Sequence, residues 1–173
     1  NYYPFSYMAP EDGVGMLVLG LGRQVVGGGP SFRFCPTYPK LEMLTPEELV
    51  RNSQRNFLAL DMEKNTVNLF AGEDATLIKL DLKTAEEDGT LADVASTWNF
   101  EDGRLDPGIM SRGPRVINFA NILQFETYPL ARAIKHILNV SNEALEAPVE
   151  IEFAVDIDNE GSSSPVFYLL QLK

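Results

Sequence analysis

Three residues near the end of the sequence have the types and spacing for phosphate chemistry. Glu152 lies in "VEIEFAV", and Gln171 and Lys173 close "FYLLQLK". A carboxylate beside an amide oxygen is a hard-oxygen pair suited to Mg2+, which keeps several waters and completes its shell with phosphate oxygens. A nearby ammonium can hold phosphate charge. Side chains in an extended strand alternate between faces. Val149, Ile151 and Phe153 then share one face, and Glu150, Glu152 and Ala154 the other. In the second run Phe167, Leu169, Gln171 and Lys173 share a face. Glu152 and Gln171 meet across the strands if both project the same way. The alternative is a solvated sheet face with an ordinary cross-strand pair, and the pattern leaves both open.

A second candidate is "GLGRQVVGGGP", with Gly20 and Gly22 placed directly after an apolar run. Glycines allow close backbone approach to a phosphate. The loop is not a Walker A sequence, since no Gly-Lys-Ser/Thr follows, and Val25 stands where G-x-G-x-x-G needs its third glycine. A plain turn is the competing reading. His136 lies in "ARAIKHIL" without an identifiable orienting partner, so a structural or surface histidine is expected rather than a general base. Arg23, Arg33, Arg104, Arg112 and Arg115 could clamp phosphates, although arginines are mostly surface residues.

These residues must be positioned by the elements around them. Val14 to Leu19 reads as a buried strand, followed by the glycine loop and a half-exposed strand in "SFRFC". Thr45 and Glu48 form a capping box behind Pro46, which predicts a short helix in "TPEELVRNSQR". "NFLALDM", "TVNLFAG" and "ATLIKLDL" read as a β-meander. "KTAEEDG" suits one helical turn. "TWNFEDGRLDPG" suits a strand or hairpin, and "RVINFANIL" a strand. From Thr127, Leu130, Ile134, Ile137 and Leu138 recur at helical spacing, with a break expected near Asn139 to Ser141. Strands at about Val149 to Val155 and Val166 to Leu172 close the chain around the polar loop "DIDNEGSSSP". Many strands without βαβ alternation predict an α+β fold with a largely antiparallel sheet. We read residues 1–173 as a single unit: strand and glycine loop in 1–36, a β-rich middle in 37–125, and helix plus closing hairpin in 126–173.

Composition narrows the function classes. Of 173 residues, 45% are apolar, enough for a buried core. Fourteen Lys and Arg against 25 Asp and Glu give a net charge of −11. Such a domain repels nucleic acid, and binding ATP would need a divalent metal and locally placed cations. One cysteine, Cys35, cannot form an intrachain disulfide, and one histidine with no C-x-x-C argues against zinc. "GMLVLGLG" is far short of the roughly 20 residues that span a bilayer. The lone cysteine makes the reducing cytoplasm the expected compartment, and no signal-peptide pattern opens the sequence. The first residue is not Met and the last strand stops at Lys173, which we read as a piece of a longer protein.

Taken together, the two ends resemble the phosphoenolpyruvate synthase and pyruvate phosphate dikinase family. "VLGLGRQVVGGGPSFRF" is similar to its strand, Gly-Leu-Gly, "VV-x-G", strand segment. "APVEIEFAVD" with "FYLLQLK" is similar to its closing "P-x-[DE]-[IV]-E-[WF]-A … Q-x-R-P" hairpin. The middle hundred or so residues resemble it only loosely. The resemblance implies the C-terminal part of an ATP-grasp-like nucleotide-binding domain. In that family the domain binds Mg-ATP and phosphorylates a histidine on a separate carrier domain, and a barrel domain passes the phosphate to pyruvate. It implies that Glu152 is the acidic Mg-ATP residue and Gln171 the glutamine, with Gly20 and Gly22 approaching the nucleotide. Lys173 falls on the usual arginine, keeping the charge but losing the bidentate fork. Arg23 stands where synthases often carry glutamate. His136 is not in the family's Gly-Gly-x-x-Ser-His carrier motif. The upstream half of the ATP-grasp domain, the carrier domain and the barrel would be partners supplied by the parent chain. The alternative is a non-catalytic nucleotide-sensing or interaction module.

Overall fold

The computed structural model describes residues 5–63, 70, 72–157 and 165–173. Its nine described strands are β1 (Gly15–Leu17), β2 (Phe32–Phe34), β3 (Asn56–Leu60), β4 (Leu77–Asp81), β5 (Ala95–Asn99), β6 (Arg104–Pro107), β7 (Arg115–Ile117), β8 (Ile151–Asp156) and β9 (Val166–Leu172). The helices are α1 (Arg23–Val26), α2 (Pro46–Asn52), α3 (Leu82–Glu87), α4 (Ala120–Leu123) and α5 (Leu130–Leu145). The fold is α+β. Among the described residues the strands form four small sheets, in the orders β1-β2, β3-β4, β6-β5-β7 and β8-β9. The last three are antiparallel throughout.

The chain divides into two compact units. One comprises Asn1–Gly15, Arg33–Met43 and Ala120–Lys173; the other comprises Met16–Phe32 and Leu44–Phe119. The chain therefore changes unit several times, and neither unit is a continuous segment.

In the second unit, β5 is the central strand. β6 pairs along Ser96 to Asn99, and β7 along Ala95 to Thr97. Leu91, Val94, Ala95, Val116 and Ile117 are buried beside the polar Ser53, Ser96, Thr97 and Asn118. Buried polar groups must find partners, and these do. Ser53 Oγ accepts from the Ile117 amide at 2.7 Å. Ser96 Oγ donates to Asn118 Oδ1 at 3.1 Å, and Thr97 Oγ1 to the Gly108 carbonyl at 2.9 Å. The capping box at α2 forms as its residues dictate: Thr45 Oγ1 accepts from the Glu48 amide, and Glu48 Oε2 from the Thr45 amide.

In the first unit, Phe34, Cys35, Ile122, Leu123, Leu130 and Ile134 are among the buried residues. Helix α5 runs unbroken from Leu130 to Leu145. The break expected near Asn139 to Ser141 does not occur, because Asn and Ser cost only a few tenths of a kcal/mol inside a helix. "RVINFANIL" is not one strand either. It is β7 up to Ile117, then α4 from Ala120, with Phe119 at φ 53° between them. The strand expected over Val14 to Leu19 is only Gly15–Leu17, because Leu19 is captured by a side chain described below. Most of "TVNLFAG" lies outside the described residues, as does the centre of "DIDNEGSSSP".

Candidate functional site

Glu152 and Gln171 are register partners in the β8–β9 ladder. Directly opposed residues of an antiparallel pair project to one face. From Phe153 onward the pairing shifts by one: Phe153 faces Leu169, Ala154 faces Tyr168, and Val155 faces Phe167. Leu170 is left without a ladder partner, as in a β-bulge. This corrects the strict alternation read from the sequence. Phe167 and Leu169 lie on the face of Phe153 and Val155, and the Phe153 and Phe167 rings stack at 5.1 Å. Gln171 and Lys173 lie on the opposite face, with Glu150 and Glu152.

Lys173 is ion-paired with Glu152. Its Nζ donates to Glu152 Oε1 at 2.6 Å. Its backbone exchanges both hydrogen bonds with Glu150, which extends the ladder past Leu172. The bond to Glu152 raises the Lys173 ammonium above the ordinary lysine value, partly offset by desolvation. Both side chains stay about half exposed, so they remain within reach of a ligand.

Glu152 and Gln171 carry hard-oxygen donors of the kind a magnesium ion takes. One carboxylate and one amide oxygen on one face can supply two of its oxygens, leaving the rest to water and phosphate. Among the described residues no cluster of three or more His, Cys, Asp or Glu side chains forms, so an all-protein cage is not built. Lys173 already occupies Oε1 of Glu152, and a cation there must share or displace it.

Gly20 and Gly22 belong to the other unit, so each group is described by itself. Gly20 has φ 82°, and a Cβ there would lie 2.5 Å from the Leu58 carbonyl oxygen. Glycine is therefore required by the backbone. Leu21 donates its amide to that same carbonyl at 2.9 Å. Gly22 has φ −63° and open space around it. Leu19 and Leu21 use their amides internally, whereas those of Gly20 and Gly22 have no hydrogen-bond partner among the described residues. "RQVV", expected as plain loop, turns as the short helix α1.

Arg23, Arg104 and Arg115 are engaged by carboxylates. Arg23 pairs with Asp74 at 3.2 Å and Arg104 with Asp106 at 2.9 Å. Arg115 makes a two-pronged contact with Glu86, at 3.1 Å through Nε and 2.6 Å through Nη2. His136 is exposed on α5, as a surface histidine is expected to be.

Two buried or partly buried groups were not singled out by sequence reasoning. One is Gln54, whose side chain grips Leu19 from 35 residues away. The other is Glu86, which holds Arg115 from 29 residues away. Only a polar residue placed just before the apolar run "NFLAL" hinted at the first.

Comparison with protein-family models, with characterised proteins and with solved structures returns no match. Among the described residues no helix is long and apolar enough to cross a membrane.

Proposed function

We propose that this chain supplies part of the Mg-ATP site of a phosphoenolpyruvate synthase-like phosphotransferase. The observation that carries the reading is the direct opposition of Glu152 and Gln171, with Lys173 on the same face. Glu152 and Gln171 would hold Mg2+, which neutralises and orients the phosphates of ATP. Lys173 would take phosphate charge as a point cation. The glycine loop at Gly20 and Gly22, in the other unit, is a separate candidate phosphate contact, its two amides having no partner among the described residues. Phosphoryl transfer is mostly positioning and charge neutralisation, and this chain offers one set of those contacts. The upstream half of the ATP-grasp domain, a phosphohistidine carrier and pyruvate as eventual acceptor complete the reaction in this reading. Its compartment is the reducing cytoplasm, in keeping with the free, buried Cys35.

One observation favours a second reading. Lys173 already neutralises Glu152, as an ordinary solvated cross-strand pair would. A non-catalytic nucleotide-sensing or interaction module derived from such a domain would look the same.

Titration of Mg-ATP into the full-length protein, followed by mass spectrometry for phosphohistidine, separates the two. The phosphotransferase reading expects both binding and a phosphohistidine. Binding alone leaves the sensor, and no binding removes the phosphotransferase and the sensor, leaving the interaction module.

A further inference from the structure

One buried amide sets the shape of the glycine loop. Gln54, just past α2, is 2% exposed. Its Oε1 accepts from the Leu19 amide at 2.8 Å, and its Nε2 donates to the Leu19 carbonyl at 3.1 Å. The side chain thus serves Leu19 as a neighbouring strand would. The same Nε2 lies 3.3 Å from the Asn56 carbonyl and 3.4 Å from Gln24 Oε1. Gln54 therefore ties together the entry to the loop, the helix α1 beyond it, and the start of β3. Two residues on, the Leu21 amide docks on Leu58 of the same strand. Gly20 is held between these two anchors, and its amide and that of Gly22 have no partner among the described residues.

A fully buried amide is an uncommon choice unless its groups are satisfied. Here all its polar atoms work on backbone or side chain around one loop. Donors fixed before a ligand arrives cost no reordering when it binds. We propose that Gln54 is the positioning residue of the Leu19–Gly22 loop, fixing its free amides for a phosphate-bearing ligand. This rests on the nucleotide reading of the loop given above.

The test is isothermal titration of the full-length protein with Mg-ATP, for wild type, Gln54→Met and Gln54→Glu. Methionine keeps the volume and loses both hydrogen bonds to Leu19. It is expected to weaken Mg-ATP about tenfold, the effect of losing roughly one net buried hydrogen bond. An irreversibly misfolded fraction lowers the binding stoichiometry and leaves Kd alone, whereas a displaced loop raises Kd in protein that circular dichroism shows to be fully folded. In Gln54→Glu, burial favours the neutral acid form of the introduced carboxyl, which again offers one donor and one acceptor to Leu19. Gln54→Glu is therefore expected to recover most of the affinity, more fully as pH falls, and it carries the comparison if Gln54→Met does not fold. Wild-type Kd retained in both variants overturns the positioning role while the nucleotide reading stands. Failure of the wild type to bind Mg-ATP overturns that reading, and this inference with it.

Discussion

Glu152 and Gln171 face each other only because Leu170 drops out of the ladder between β8 and β9. Strict alternation places Gln171 on the side of Phe167 and Leu169. The bulge turns it and Lys173 to the side of Glu150 and Glu152, while the aromatic pair Phe153 and Phe167 keeps the other side. A single unpaired residue thus separates an apolar face from a charged one on the same short hairpin. Bulges commonly re-aim side chains in this way.

Glu152→Gln in the full-length protein is expected to abolish ATP-dependent phosphohistidine formation. The substitution keeps shape but removes the metal-binding charge. Thermal unfolding is expected to move little, since exposed ion pairs contribute little to stability. Normal phosphohistidine levels in this variant would refute the role assigned to Glu152.

Lys173 and a metal ion compete for one carboxylate oxygen. Lys173→Met is therefore expected to raise the affinity for Mn2+ alone by about two- to fivefold, the range expected from losing one exposed ion pair. The same variant is expected to weaken Mg-ATP, because phosphate loses its cation. Lys173→Arg should keep nucleotide binding. Electron paramagnetic resonance of free Mn2+ reads the first effect and calorimetry the second. If both affinities fall in Lys173→Met, the competition is absent.

The two glycines of the loop separate fold from ligand. Gly20→Ala puts a Cβ against the Leu58 carbonyl at φ 82°, and a cost of about 1–3 kcal/mol is expected in chemical denaturation. Gly22→Ala meets open space at φ −63°, and should stay within about 0.5 kcal/mol of wild type. Its effect on Mg-ATP affinity then reports contact with ligand. Wild-type affinity in a stable Gly22→Ala protein removes Gly22 from the site.

Local rules made part of this fold legible. Thr45, Pro46 and Glu48 specify their own helix start within four residues, and the cap forms as written. β8 and β9 follow from apolar runs on either side of a polar loop. What the sequence concealed depends on distant partners. Nothing in "FYLLQ" marks Leu170 as the bulge, because the choice is made by pairing with β8. Gln54 reads as one more polar residue until Leu19 is brought beside it. Neither Asn139 nor Ser141 could stop α5, because the apolar stripe of Leu130, Ile134, Ile137 and Leu138 had already committed the helix to its core.

Arg115 gives the β5–β7 sheet a pH-dependent tie. Its Nη1 donates to Thr97 Oγ1 and to the Ser111 carbonyl, both at 2.8 Å. Its other nitrogens hold Glu86, and that hydrogen bond, opposed by desolvation and aided by charge attraction, keeps the Glu86 carboxyl below its ordinary range. A depressed carboxyl contributes stability above its unfolded pKa and loses it as pH falls through the folded one. The contribution should thus be full at neutral pH and fade below about pH 4. Glu86 is about a third exposed, so solvent screening holds the effect to on the order of 1 kcal/mol. Glu86→Gln should flatten the acid limb of the stability curve. Arg115→Met should cost more, about 2–3 kcal/mol at pH 7, because Thr97 and the Ser111 and Gly113 carbonyls lose a donor together. Urea denaturation from pH 7 to pH 3 checks both. A Glu86→Gln protein with the wild-type acid slope would place the titrating group elsewhere.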